Sequence, residues 1–167
     1  KTVIDYCKKE EMVGISVETL SNGMEYGNFS NYMTVFPGEK GKAYAVSSMS
    51  STDGTLKQGQ IIDISDVNAP GVGYLGGSHG PSKDTLKSGK ALSPEECKAL
   101  WEELGLKPVD VLKLTHTSLS FTHGPAFRKA LESAGLDLTK EEMRTAIKEA
   151  EIYRADAVDE IIEAMYA

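Results

Sequence analysis

The three histidines carry the clearest chemical signal in the sequence. Two of them begin identical His-Gly-Pro tripeptides, at 79–81 and 123–125, and the third is His116. Histidine changes its charge near neutral pH, so an imidazole beside a Gly-Pro pair that shapes the backbone suits proton transfer, anion contact or metal ligation. We interpret His79 and His123 as candidate catalytic residues. The alternative for both is an ordinary turn residue.

A glycine-rich segment, residues 68–90, surrounds the first tripeptide and ends in a concentration of lysines and hydroxyl groups. Backbone N–H groups and lysines together can hold a carboxylate or a phosphate, and long loops in compact domains often carry function. This segment therefore predicts a ligand-binding loop for a small anion. The alternative is a flexible loop or one that contacts another subunit. The residues expected to contact the ligand are Gly73, Gly76, Gly77, Ser82 and Lys83.

Several better-known site patterns are absent or out of context. Residues 71–76 match the spacing G-x-G-x-x-G, but Asn-Ala-Pro precedes them and Gly-Ser-His-Gly-Pro follows. A dinucleotide fold needs a strand before this pattern and a helix after it, so we predict no dinucleotide site and identify no cofactor. There is no Gly-x-Ser-x-Gly sequence for a hydrolase and no closely spaced pair of metal-binding histidines, so we predict no metal site.

The stretch 115–123 is rich in hydroxyl groups and contains two of the histidines. If it is extended, His116 and His123 point to opposite faces, because their separation is an odd number of residues. His123 is the better catalytic candidate, since it precedes a helix predicted to begin at Pro125, whose positive end favours a neutral imidazole. For His116 the alternative is a partly buried structural histidine.

The charge balance limits the partners. Lys and Arg number 18 against 25 Asp and Glu, which gives a formal net charge of −7. Nucleic-acid binding normally requires a positive stripe, so we expect no nucleic-acid partner. No apolar run is long enough to cross a bilayer, so we expect no membrane span. The two cysteines, Cys7 and Cys97, form no motif, which favours a reducing, cytoplasmic location.

Secondary structure is predicted most clearly in the second half. Ser93, Pro94 and Glu96 form a helix-start signature, and Gly105 ends that helix, which predicts residues 94–104 as helical. A second helix is expected from Pro125 to a stop at Gly135. A third begins after Thr139 and follows an apolar stripe to Met165. In the first half a helix is expected over 2–12 and strands over 15–17, 32–36, 42–49 and 60–67, with a hairpin connection at 37–41.

Composition divides the chain into two parts. Thirteen of the 16 glycines lie before residue 92, whereas 15 of the 25 acidic residues follow it. This split predicts an α+β fold, with an N-terminal antiparallel β-sheet and Gly-rich loops over 1–91 and three C-terminal helices over 92–167 packed on it. At 167 residues we expect a single domain, or a fragment or subunit of a larger protein.

We therefore predict an enzyme or enzyme subunit that acts on a small anionic metabolite by histidine acid–base chemistry. In this hypothesis the segment 71–90 binds the anion, and His79 and His123 exchange protons. The alternative is a non-catalytic accessory or assembly subunit, which uses the Gly-rich loop and the C-terminal helix as partner surfaces. Under either hypothesis we expect an oligomer or a subunit of a complex.

Overall fold

The computed structural model describes residues 16–28, 34–39, 42–65 and 89–167. Within these ranges the fold is α+β: one antiparallel sheet of six strands, with helices in the C-terminal half. The strands are β1 (Ser16–Thr19), β2 (Glu25–Asn28), β3 (Thr34–Pro37), β4 (Ala43–Val46), β5 (Ile61–Asp63) and β6 (Lys90–Ala91). The helices are α1 (Pro94–Leu104), α2 (Pro108–Leu119), α3 (Pro125–Ser133), α4 (Lys140–Ala150) and α5 (Val158–Met165), with a 3₁₀ turn at Ala155–Ala157.

The sheet is a meander in which every strand pairs with its neighbours in sequence. The predicted connection between 32–36 and 42–49 is confirmed, because Pro37 lies opposite Ala43 and Gly38 N–H donates to Lys42 O at 2.8 Å. Strands β2 and β6 were not predicted. The helix expected over 2–12 lies outside the described residues.

Helix α1 begins and ends where the sequence predicts. The Ser93 hydroxyl accepts from Glu96 N–H, and the Glu96 carboxylate accepts from Ser93 N–H at 3.1 Å, so both donors are satisfied at the helix start. Gly105 closes the helix in the left-handed conformation, φ 69°. Trp101 of this helix donates its indole N–H to Ala134 O at 2.8 Å. This bond fixes α1 against the end of α3.

The C-terminal half contains five α-helices where three were predicted. Residues 115–119 of the hydroxyl-rich stretch are helical, so the extended conformation considered for this stretch does not apply to them. They lie in α2, Pro108–Leu119, whose inward face carries Val111, Leu112, Leu114 and Leu119. Thr115 and Ser118 fit this buried face because Thr115 Oγ1 donates to Val111 O at 2.8 Å and Ser118 Oγ donates to Thr34 Oγ1 at 3.0 Å.

The predicted final helix is divided in two. Glu151 ends α4 with a left-handed backbone, φ 53°, and the chain turns before α5 begins at Val158. Of the predicted apolar stripe, Met143, Ile147, Ala150 and Met165 are buried in one cluster, whereas Ala157 and Ile161 are half-buried and Ile162 is the buried isoleucine of α5. Ion pairs from Arg144 on α4 to Asp159 and Glu163 on α5 join the two pieces.

Sheet and helices share one hydrophobic core. Phe36 lies at its centre, with its ring centroid 5.4 Å from that of Tyr44 and 5.7 Å from that of Trp101. The turn after β1 is joined to α2, because Asp110 accepts hydrogen bonds from Ser21 Oγ and from Lys107 N–H. In the part of the chain that the structure describes, no helix combines the length and the apolarity needed to cross a membrane.

Candidate functional site

The residues predicted to form the site divide into two sets. His79, Gly73, Gly76, Gly77, Ser82 and Lys83 lie outside the described residues, so the shared pocket for His79 and His123 stays a prediction. His123 is described: it is exposed, and it lies two residues before α3. Gly124 follows it with φ 62°, a backbone that favours glycine, and this residue turns the chain into the helix.

His116 is in a helix rather than in extended chain, and its side chain is half-buried. Its ring packs edge-on against Tyr153, with centroids 5.2 Å apart and planes at 79°. Tyr153 in turn packs against Phe127 of α3. The buried Nδ1 of His116 has no hydrogen-bond partner among the described residues, and burial lowers the pKa of the imidazole. His116 is thus part of an aromatic contact that holds the α4–α5 connection against α2.

A groove lies between the loop that follows β4 and one side of α3, the helix that begins two residues after His123. It has a volume of about 580 Å³, and we call it the lysine groove. Lys57 and Lys129 bring a positive charge from each side. The rest of its lining consists of Ser50, Gln58, Pro94, Ala126, Ala130, Glu132 and Ser133.

The charges in the lysine groove favour an anion. Its one carboxylate, that of Glu132, lies 3.4 Å from Nε of Arg128, so its charge is offset. Neither Lys57 nor Lys129 has an ion-pair partner among the residues that the structure describes. Ala126 lies in the first turn of α3, where the helix dipole adds positive potential. The groove is therefore locally positive in a chain of net charge −7.

The loop that follows β4 supplies a further hydrogen-bond donor to the groove, the hydroxyl of Ser50. Ser50 Oγ accepts from Gln58 N–H at 3.0 Å, and its own proton has no acceptor among the described residues, so it can be donated to a ligand. Gln58 Nε2 also donates to Thr122 Oγ1, the residue next to His123. This bond connects the loop wall of the groove to the turn that carries the candidate histidine.

The loop reaches α3 only because residue 59 is glycine. Gly59 has φ +83°, and a Cβ built on it would lie 2.0 Å from Ala130 O. Backbone therefore packs directly on backbone at this point, next to Gln58 and Ala130, which line the lysine groove.

A second cavity of about 370 Å³ adjoins the lysine groove and shares Lys57, Pro94 and Ser133 with it. Its other lining residues are Gln60, Ala91, Leu92, Ser93 and Glu96. Lys57 thus lies where the two cavities meet.

The sequence did not indicate the lysine groove. Lys57 and Lys129 are 72 positions apart and neither is part of a motif. The available signals were a serine-rich stretch before a turn at Asp53-Gly54, and Lys129 and Ser133 at helical i, i+4 spacing. Among the described residues there is no group of three or more His, Cys, Asp or Glu arranged to hold a metal ion.

Comparisons with protein-family models, with curated protein sequences and with solved structures find no match to this chain.

Proposed function

We propose that the chain binds a small anionic metabolite in the lysine groove, and that histidine acid–base chemistry acts on the bound ligand. The observation that carries this proposal is the convergence of Lys57 and Lys129, from separate elements, on one cavity of about 580 Å³. Cavities of this size are typical of small-molecule sites. A carboxylate or phosphate would contact the two ammonium groups and accept a hydrogen bond from the hydroxyl of Ser50.

His123 is the candidate for proton transfer in this proposal. It is exposed to solvent, and the preceding Thr122 is hydrogen-bonded to Gln58 of the groove wall. An exposed imidazole next to an anion site can exchange protons with the ligand and with water. His79 is proposed as its partner from sequence alone, together with the glycine-rich loop.

Titration with inorganic phosphate and with citrate, followed by NMR, tests the binding proposal. We expect saturable shifts in the amide signals of Ser50, Lys57 and Lys129. The double variant Lys57→Gln/Lys129→Gln should weaken binding at least about tenfold, since two charge contacts are lost. The matched control Lys98→Gln/Lys148→Gln removes the same charge from exposed sites outside the groove. Absence of saturable shifts, or an equal loss in the control, would overturn the proposal.

The ring protons of His123 provide a separate readout for the catalytic part. They should shift with the same saturation curve as the groove amides, whereas the ring protons of half-buried His116 should not. If the amides respond and His123 does not, the anion site stands and the acid–base role of His123 is wrong.

A further inference from the structure

A second surface feature lies between the start of α2 and one face of α4. It is a groove of about 440 Å³, which we call the acidic groove. Its apolar residues are Pro108, Val109, Leu138 and Ala146. Lys107, Glu141, Glu142, Thr145 and Glu149 complete the lining.

The apolar floor of the acidic groove is held rigidly by the core. Ala146 is 5% exposed, and Val109 and Leu138 are half-buried and pack against the main hydrophobic cluster. Tyr166 donates its hydroxyl proton to Leu138 O at 2.7 Å, which further fixes this segment. A preformed apolar floor can accept apolar side chains of a partner at a low cost in conformational entropy.

The rim of the acidic groove is negative. Three carboxylates, those of Glu141, Glu142 and Glu149, line it together with the ammonium group of Lys107. Glu141 is also bonded to Arg144 at 2.9 Å, but Arg144 is shared with Asp159 and Glu163, so the rim keeps an excess of negative charge. Glu142 and Glu149 are seven residues apart and so lie on the same side of α4. Glu149 has no ion-pair partner among the described residues, and it lies in the last turn of α4, where the helix dipole adds negative potential.

We propose that the acidic groove binds a cationic amphipathic segment of another protein, with its apolar side chains on Val109, Leu138 and Ala146 and its Lys or Arg side chains against Glu141 and Glu149. Charge complementarity selects this occupant. A second copy of the chain, at net charge −7, would meet the groove with like charge overall, and nucleic acids and anionic membranes would be repelled. An amphipathic segment in an apolar groove is a common mode of peptide recognition.

The probe for this proposal is a fluorescein-labelled 14-residue peptide with Leu at heptad positions a and d and Lys elsewhere. Binding to the full chain is followed by fluorescence anisotropy at low salt and in 0.5 M salt. Two companion peptides separate the contributions: one replaces Lys by Glu, and the other keeps Lys and replaces Leu by Ser. Only the parent peptide should bind well, and salt should weaken but not abolish its binding, because the apolar contacts remain.

Substitutions in the groove locate the site. Glu141→Lys/Glu149→Lys should weaken binding at least about tenfold, and Val109→Ser should weaken it about three- to tenfold. The charge-matched control Asp156→Lys/Glu160→Lys changes exposed residues outside the groove and should have less than a twofold effect. Far-UV circular dichroism verifies that each variant is folded.

Three results would overturn the proposal: equal binding of the Leu→Ser peptide, an equal loss in the control variant, or displacement of the peptide by self-association of the chain. Light scattering at the concentrations used for anisotropy detects the last of these. The test is independent of the lysine groove, because neither groove shares a lining residue with the other.

Discussion

Gly59 lies with its Cα against the carbonyl oxygen of Ala130, so that any Cβ at position 59 would stand 2.0 Å from that oxygen. This contact joins the loop after β4 to α3 beside the lysine groove, which Ala130 lines. A methyl group added at this position should therefore strongly lower the free energy of unfolding.

Gly59→Ala should lower the free energy of unfolding by roughly 2–4 kcal/mol, because it adds a backbone clash to the cost of an alanine at positive φ. Urea denaturation measures the loss. The control is Gly54→Ala, where φ is +78° but a Cβ meets nothing within 4 Å. That variant should lose only about 1 kcal/mol. Equal losses in the two variants would show that the contact with Ala130 costs nothing.

Stability should fall as the solution is acidified through the ordinary range of histidine, because of His116. Its folded-state pKa is lowered by burial. Below about pH 6.5 the unfolded chain therefore takes up a proton that the folded chain does not, and the free energy of unfolding decreases with falling pH. Above that range His116 is neutral in both the folded and the unfolded chain, so it causes no loss of stability.

The measurement for His116 is the difference in unfolding free energy between the wild type and His116→Leu, followed by urea denaturation from pH 7.5 to 5. Below about pH 6.5 the variant should lose less stability than the wild type for each unit of pH. Parallel curves for the wild type and His116→Leu would contradict the prediction.

The indole N–H of Trp101 should contribute measurably to stability through its bond to Ala134 O. Trp101 is the only tryptophan, so biosynthetic replacement of tryptophan by benzothienylalanine removes this N–H alone and keeps the ring shape. We expect a loss of about 1–3 kcal/mol, since the buried carbonyl loses a donor. Thermal unfolding by circular dichroism measures it, and an unchanged midpoint would mean that water replaces the bond.

Cys97 should be nearly inert towards thiol reagents in the folded protein. It is fully buried, and burial raises its pKa to about 12. At pH 8 only roughly one thiol in ten thousand would then be ionised, and the thiolate is the reactive form. In a Cys7→Ser variant, 5,5′-dithiobis(2-nitrobenzoate) should react at least about 100-fold more slowly in the native state than in guanidinium. Comparable rates in the two states would be inconsistent with this burial.

The sequence predicted correctly those elements whose ends are set by neighbouring residues, such as helix caps and turns. The bounds of α1 follow from the capping box of Ser93 with Glu96 and from the left-handed Gly105, and all of these lie within the helix or next to it. The strands around the 37–41 connection were predicted for the same reason. The end of α4 at Glu151 carries no glycine or proline, so the division of the last helix depends on tertiary contacts such as that of Tyr153 with His116.

Helix α2 was missed because hydroxyl groups interrupt its apolar face. Thr115 and Ser118 read as polar residues in the sequence, yet both are buried and hydrogen-bonded. Pro108 at the first turn was the overlooked signal. The lysine groove is harder still to predict, since Lys57 and Lys129 are brought together by tertiary contacts: the packing of Gly59 on Ala130 and the hydrogen bond from Gln58 to Thr122. These contacts join residues that are far apart in the sequence, so no local sequence pattern indicates them.

The pairing of β5 with β6 has a practical consequence for the glycine-rich segment between them. Asp63 lies opposite Lys90, so the chain leaves and re-enters the sheet on adjacent strands, with its two ends about one strand spacing apart. A connection between two adjacent antiparallel strands can vary in length without changing how the strands pair. Replacing residues 66–88 by a short turn should therefore preserve the fold. The entropic cost of closing a loop grows slowly with loop length, so the shorter connection should lower that cost by only about 1 kcal/mol. Such a variant lacks His79 and the predicted ligand-binding loop, while every residue that lines the two grooves is still present.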